Sequence, residues 1–191
     1  LDFGTTGKLR KSDLVMYDRQ TESWWQQFIG EGIVGKMTGK RLKMLPARVE
    51  SLANFRKRFK TAKILVPNHA GMRPYGRNPY AGYDSASRPF LYRGGYPKDI
   101  EPMAYVVTVG KQAWPLKLIQ RNKTVTVGNL RLSWTAGQNS ALDSGIIKSG
   151  RDLGNLVVQK KGASGWVDTV HDLTFAFVFH AFVPDGVIHK Q

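Results

Sequence analysis

Short apolar runs with a period of two, each closed by a Gly, Pro, Asn or Asp turn signal, recur along this chain and restrict it to a sheet-based fold. In "SDLVMYDRQTESWWQQF" Leu14 and Met16 alternate with Val15 and Tyr17. Further on, Thr21, Ser23, Trp25 and Gln27 face one way, and Glu22, Trp24, Gln26 and Phe28 the other. Asp18-Arg19-Gln20 supplies the turn, so residues 12–28 read as a hairpin, with a short helix over Thr21–Ile29 as the competitor. "MAYVVTVG" (103–110) is a strand ending at a glycine. "TVTVGNLRLSW" is a hairpin about Gly128-Asn129, and "NLVVQKKGASGWVDTV" is another about "KKGASG". "HDLTFAFVFHAF" reads as a further strand whose odd positions, Leu173, Phe175, Phe177 and Phe179, enter the core.

Between these runs the texture changes. "GEGIVGKMTGKRLKMLP" is broken by glycines, with a strand expected over 41–45. "SLANFRKRFK" has Ser51 as an N-cap and Leu52, Phe55 and Phe59 at helical spacing. "KILVP" (63–67) reads as a buried strand. Residues 69–102 are dense in Pro, Gly and Tyr, a composition stiffer than a Gly/Ser tether, so they are expected to pack as an ordered loop. Pro115 suits the first position of a short helix through "WPLKLIQRN". The chain therefore reads as mainly β to α+β: several antiparallel hairpins, two or three short helices and a long Pro/Tyr/Gly-rich loop in the middle. Its halves are 1–93 and 94–191, which can pack as one domain.

The 191 residues suffice for a core, and 41% hydrophobic with 23% charged residues is a globular composition. The net charge is +15, spread as +8 over residues 1–70 and +7 over the rest. Such a surface attracts polyanions, anionic lipid or an acidic protein partner, or simply confers solubility. Cysteine is absent, which excludes disulfides, thiolate catalysis and Cys-type zinc sites. The longest apolar run, 173–183, is too short to span a bilayer, so the chain is not transmembrane, while peripheral association with a membrane stays open. It starts at Leu1 rather than Met, so a removed upstream signal segment is expected.

The glycines Gly30, Gly32 and Gly35 match a dinucleotide fingerprint, and Gly30–Lys36 most of a phosphate loop. Met37 stands where the latter needs Ser or Thr. Both need a helix opening at the last glycine, and Gly39 and Pro46 follow too soon for one; these are turn glycines, with no nucleotide expected. Asp18 and Glu22 are the weak acid–base candidates of a hydrolase reading. Asp more often closes a turn by accepting backbone amides, with Arg19 or Glu22 in surface pairs. His69, His171, His180 and His189 form no ligand spacing, and no metal or cofactor is assigned. Basic residues interleave with aromatics in "NFRKRFK" and "RPYGRNPYAGYDSASRPFLYR", a pattern shared by polyanion-binding surfaces and by ordinary packing loops.

"GKLRKSDLVMYDRQTESWWQQFIGEGIVGKMTGKRL" resembles the signature of a bacterial and archaeal family described as domain of unknown function 3179. The pattern is Gly-x-Leu-Arg-x-Ser-Asp-Leu-Val-Met-Tyr-Asp-Arg-x-Thr-x-Ser-x-Trp. Ser12, Asp13, Tyr17, Asp18, Arg19, Thr21, Ser23 and Trp25 match it position by position. "NPYAGYD" is similar to the family's Pro-Tyr-x-x-Tyr segment, which marks Arg77, Tyr80, Tyr83 and Asp84. Members often carry an upstream half with a Cys-Pro-x-Cys-Gly-type segment. The second half here looks like a degenerate copy of it, with "WTAGQNSALD" in the cysteine segment's place. The resemblance implies an exported, periplasmic or cell-surface protein and no established activity. Its residues form a ligand-binding or structural corner (12–25) and a loop surface (77–84). The expected role is a non-enzymatic binding or structural module, or an accessory subunit of a larger assembly. The alternatives are the hydrolase on Asp18 or Glu22 and a polyanion-binding protein.

Overall fold

The computed structural model describes residues 1–190. The chain is mostly β, in three four-stranded sheets with short helices between them.

The first sheet is a meander of β1 (Phe3–Arg10), β2 (Asp13–Asp18), β3 (Trp24–Gln26) and β4 (Glu31–Val34), in that spatial order and all antiparallel. The expected hairpin of 12–28 is β2–β3, and no helix forms over Thr21–Ile29. Two adjacent non-glycine residues, Lys11 and Ser12, make the β1–β2 turn with φ of 55° and 67°, the left-handed pair a two-residue hairpin turn demands.

From β4 to residue 104 the chain holds one α-helix, α1 (Leu52–Arg58), and no strand. Ser51 caps α1, its hydroxyl accepting from Asn54 N at 3.3 Å. The strands expected over 41–45 and 63–67 are absent. Arg41 makes only an isolated bridge with Glu31, and Leu65 is 99% exposed. Apolar sequence becomes a strand only where an edge offers continuing hydrogen bonds and a face offers cover. The backbone of 41–45 meets the start of β4 only through the Arg41 bridge and the Leu42 N to Gly30 O bond, and 63–67 pairs with no strand. Residues 69–102 form the expected ordered loop, with two 3-10 turns and both Asn78 and Asp84 buried.

The second half brings β5 (Tyr105–Val109), β6 (Gln112–Pro115), α2 (Leu116–Asn122), β7 (Thr124–Val127), β8 (Leu130–Thr135), β9 (Asn155–Gly162), β10 (Gly165–Asp168), β11 (Asp172–Phe175), α3 (Ala176–Phe182) and β12 (Val187–Ile188). The β7–β8 and β9–β10 hairpins fall where the turn residues put them. Pro115 closes β6 and caps α2 instead of opening it. The run from Asp172 is half strand and half helix, because period alone cannot separate a short buried strand from a buried helix. As a helix it serves two clusters: Ala176 and Phe179 pack with Val106, and Phe177 with Phe175 and Met103.

Sheet order β11-β5-β6-β12 places β5 centrally. Successive valines there serve opposite faces. Val107 joins Trp114, Ile119, Leu132 and Val158, the core shared by α2 and the order-β10-β9-β8-β7 sheet. Val106 joins the cluster under α3. A strand buried on both faces reads as a continuous apolar run, and "YVVTV" does. Polar contacts join residues of 1–93 to residues of 94–191: Arg48 with Asp168, Ser51 N with Asn155 Oδ1 (2.8 Å), and Lys11 Nζ with the Ala181 carbonyl. No described helix is long and apolar enough to cross a membrane.

Candidate functional site

The marked residues occupy two places. At the first, the β2–β3 turn, Asp18 and Ser23 have no accessible surface and Trp25 is buried. Asp18 Oδ1 accepts from Thr21 N (2.6 Å), and Oδ2 from Thr21 Oγ1 (2.8 Å) and the Trp25 indole (2.8 Å). Thr21 has one hydroxyl proton, spent on Asp18. The 2.8 Å Thr21–Ser23 contact therefore runs from Ser23 Oγ to Thr21 Oγ1, and Ser23 Oγ in turn accepts from Met37 N at 3.0 Å. The result is a relay of donors ending on a carboxylate, each bond polarising the next. Burial would raise the Asp18 pKa, but the bonds from Trp25 and Thr21 outweigh it and hold the carboxyl below its usual value. This carboxylate has no face open to a substrate.

The other corner residues have local work. Asp13 Oδ2 accepts from Gln26 Nε2 (2.5 Å) and Phe28 N (2.9 Å), tying the C-terminal end of β3 and the residues just after it to the start of β2. Tyr17 stacks under Arg19, whose guanidinium lies 5.6 Å from the ring centre. Glu22 stands exposed on the turn at φ 55°. The glycines after this corner serve the backbone. Gly32 N donates to Lys40 O and Gly39 N to Gly32 O, and residues 35–39 form a turn, not a helix, so the helix N-terminus a phosphate site needs is missing.

The second place is built by the loop. Gly82, left-handed at φ 77°, donates from N to Asp143 O at 2.7 Å and starts the 3-10 turn that carries Asp84 inward. Three donors converge on Asp84 Oδ2: Ser140 Oγ (2.5 Å), Arg151 NH2 (2.9 Å) and the Tyr105 hydroxyl (3.1 Å). Arg151 also donates to Asp84 O (3.0 Å), Ser85 Oγ (2.7 Å) and Asp143 Oδ1 (3.2 Å). Asp84 Oδ1 is buried and has no hydrogen-bond partner. Burial pushes the Tyr105 phenol well up, so it stays a proton donor. Asp84 lines the wall of a cavity of about 920 Å³ with Glu101, Met103, Tyr105, Leu116, Gln120 and Arg151.

Of the loop residues, Tyr80 and Tyr83 meet Ser12 of the corner around a smaller cavity of about 190 Å³. Arg77 bridges Ile146 through the backbone. Tyr83 packs edge-on against Phe90 and Phe175, and burial beside Tyr96 raises its pKa. Asp84 and Asp18 share no bonding partner among the described residues. Sequence reading missed Tyr105, Ser140, Asp143 and Arg151. The last three lie in "NSALDSGIIKSGR", which has no apolar period and so gave no reason to meet the Tyr-rich loop. No group of three His, Asp or Glu side chains suited to a metal occurs among the described residues.

These features define a mainly β protein with a sealed carboxylate corner and a separate carboxylate–arginine hub on a cavity. The chain belongs to the family described as "Protein of unknown function (DUF3179)", whose model matches residues 1–186. No curated protein and no solved structure matches it.

Proposed function

We propose that this chain is a non-enzymatic binding module of an exported, periplasmic or cell-surface protein, an accessory portion of a larger assembly. Its ligand would be a small hydroxyl- or amine-bearing molecule held in the Asp84 cavity. The observation that carries the reading is that Asp84, a residue lining that cavity, keeps a buried carboxylate oxygen, Oδ1, without a hydrogen-bond partner. A buried acceptor without a donor is costly, and a ligand N–H or O–H would satisfy it. The same wall offers Met103 and Leu116 as apolar surface and Gln120 and Glu101 as polar anchors, the mixture small-molecule sites use. The hub contains no histidine, and its one hydroxyl beside a carboxylate, Ser140 on Asp84, is buried with no accessible surface, which favours holding over reacting. Asp18 is closed off as an acid–base group by its own partners.

Thermal-shift titration with sugars, polyols and primary amines tests the reading. A stabilising compound should lose its effect in Gln120→Trp, which fills the cavity, while Glu22→Gln should leave the effect intact. If no compound stabilises the protein, or if Gln120→Trp leaves the stabilisation untouched, the cavity is not the site. Fractionation of native cells checks export separately.

A further inference from the structure

Residues 36–63 hold ten Lys and Arg against Glu50 alone, so this one stretch carries +9 of the chain's +15. Arg41, Arg48 and Arg58 are spent on Glu31, Asp168 and Glu50. Lys36, Lys40, Lys43, Arg56, Lys57, Lys60 and Lys63 have no ion-pair partner among the described residues. The same stretch and the residues just after it expose large aliphatic side chains. Leu45, Val49, Leu65 and Val66 are each two-thirds exposed or more, and α1 buries no residue at all. Ile64 and Leu65 line one concavity together with Leu52, Phe55, Arg58 and Lys63. Met44 and Leu45 lie between Lys43 and Arg48, and Ile64, Leu65 and Val66 follow Lys60 and Lys63.

We infer that residues 36–66 form a docking surface for an anionic lipid bilayer. A bilayer interface offers phosphate and acyl chain within a few ångströms of each other, so it rewards cations and aliphatics interleaved along one segment. A nucleic acid rewards the cations but gives nothing to Leu45, Leu65 or Val66, and it asks for exposed aromatic faces on which bases stack. The aromatics here pair with each other, Phe55 lying 5.4 Å from Phe59, and Arg58 covers one face of Phe59, which is 47% exposed. Charge complementarity thus selects an anionic partner, and the free aliphatics select a lipid one.

The test is sedimentation of the full chain with vesicles of phosphatidylcholine, with and without phosphatidylglycerol. Binding is expected only with phosphatidylglycerol and should weaken as salt rises. Neutralising Lys57, Lys60 and Lys63 to Gln should weaken partitioning about fivefold per charge. Leu65→Ser with Val66→Ser should weaken it about tenfold, with an unchanged melting temperature because both side chains are already in water. Absence of binding to anionic vesicles overturns the inference. So does unaltered vesicle binding by the Leu65/Val66 variant, which would leave a purely electrostatic surface. Retention on heparin or duplex DNA without vesicle binding assigns the stretch to polyanions and likewise overturns it.

Discussion

The Trp25 indole donates to Asp18 Oδ2 across 2.8 Å, and both side chains are buried. Seven residues separate them in sequence, and the β2–β3 hairpin closes that gap. The tryptophan matters here as a polar group: it supplies one of three donors to a carboxylate that cannot reach water. Trp25→Phe keeps most of the apolar volume and removes that donor. It is expected to cost about 2 kcal/mol of stability, measured by urea denaturation. A loss below about 0.5 kcal/mol would mean the indole bond contributes little.

Gly32 carries the next prediction. A Cβ built on it would stand 2.1 Å from the Met37 carbonyl oxygen and 2.8 Å from its carbon. Backbone atoms cannot rotate away as a side-chain tip can. Gly32→Ala therefore has to shift the turn over 35–39, at about 2–3 kcal/mol. Gly39, with nothing within 4 Å of its Cβ position but φ of 79°, should tolerate Asn better than Val, since Asn visits the left-handed region. Melting temperatures of the three variants decide this. A harmless Gly32→Ala would show that the glycine is not there for close backbone approach.

The hub predicts an asymmetry between arginine and lysine. Arg151 reaches Asp84, Asp143 and Ser85 with a two-pronged guanidinium. Arg151→Ala leaves the buried Asp84 charge without its counter-ion and should cost about 3 kcal/mol. Arg151→Lys keeps the charge but spans at most part of the set, so it should recover less than half of that loss. Chemical denaturation of both variants measures the difference. Full recovery by lysine would show that only net charge matters.

What the sequence disclosed follows from where its signals are local. The hairpins about Asp18-Arg19-Gln20 and Gly128-Asn129 announce themselves, because alternation and turn residues lie side by side. Ser51 and its helix are equally local. The 63–67 segment misleads because "KILV" has strand composition, while strand formation depends on a neighbour elsewhere in the chain. Asp84 could be marked within a family-like loop, but its partners Tyr105, Ser140 and Arg151 come from separate segments. Nothing in their spacing says that three donors will meet on one oxygen. The Asp18 cluster is the local case: the sequence reads as a ligand-binding or structural corner with Asp18 closing a turn, and Thr21 and Trp25 bond that carboxylate within seven residues.

Acid should find the same corner. Asp18 is held below its unfolded value: burial raises it, and bonds from Trp25 and Thr21 more than offset that rise. Asp168 is also lowered, because the Arg48 and Gln159 bonds outweigh burial. A carboxylate with a depressed folded pKa stabilises the fold in full above its unfolded pKa, and that contribution is lost as pH falls through the folded one. The ordinary Asp value is 3.8, so stability should hold on the alkaline side of that value and decline below it. Asp172 has the opposite sign. Burial raises it beyond what the Thr108 bond and His171 lower, so its ionisation opposes folding as pH rises through the ordinary Asp range. Asp172→Asn should therefore raise stability at neutral pH and have less effect in acid, whereas Asp18→Asn should do most harm at neutral pH. Melting curves from pH 3 to 7 on the wild type and both variants give the test. If Asp18→Asn costs the same at both ends of that range, the carboxylate's charge is not what the Trp25 and Thr21 donors stabilise.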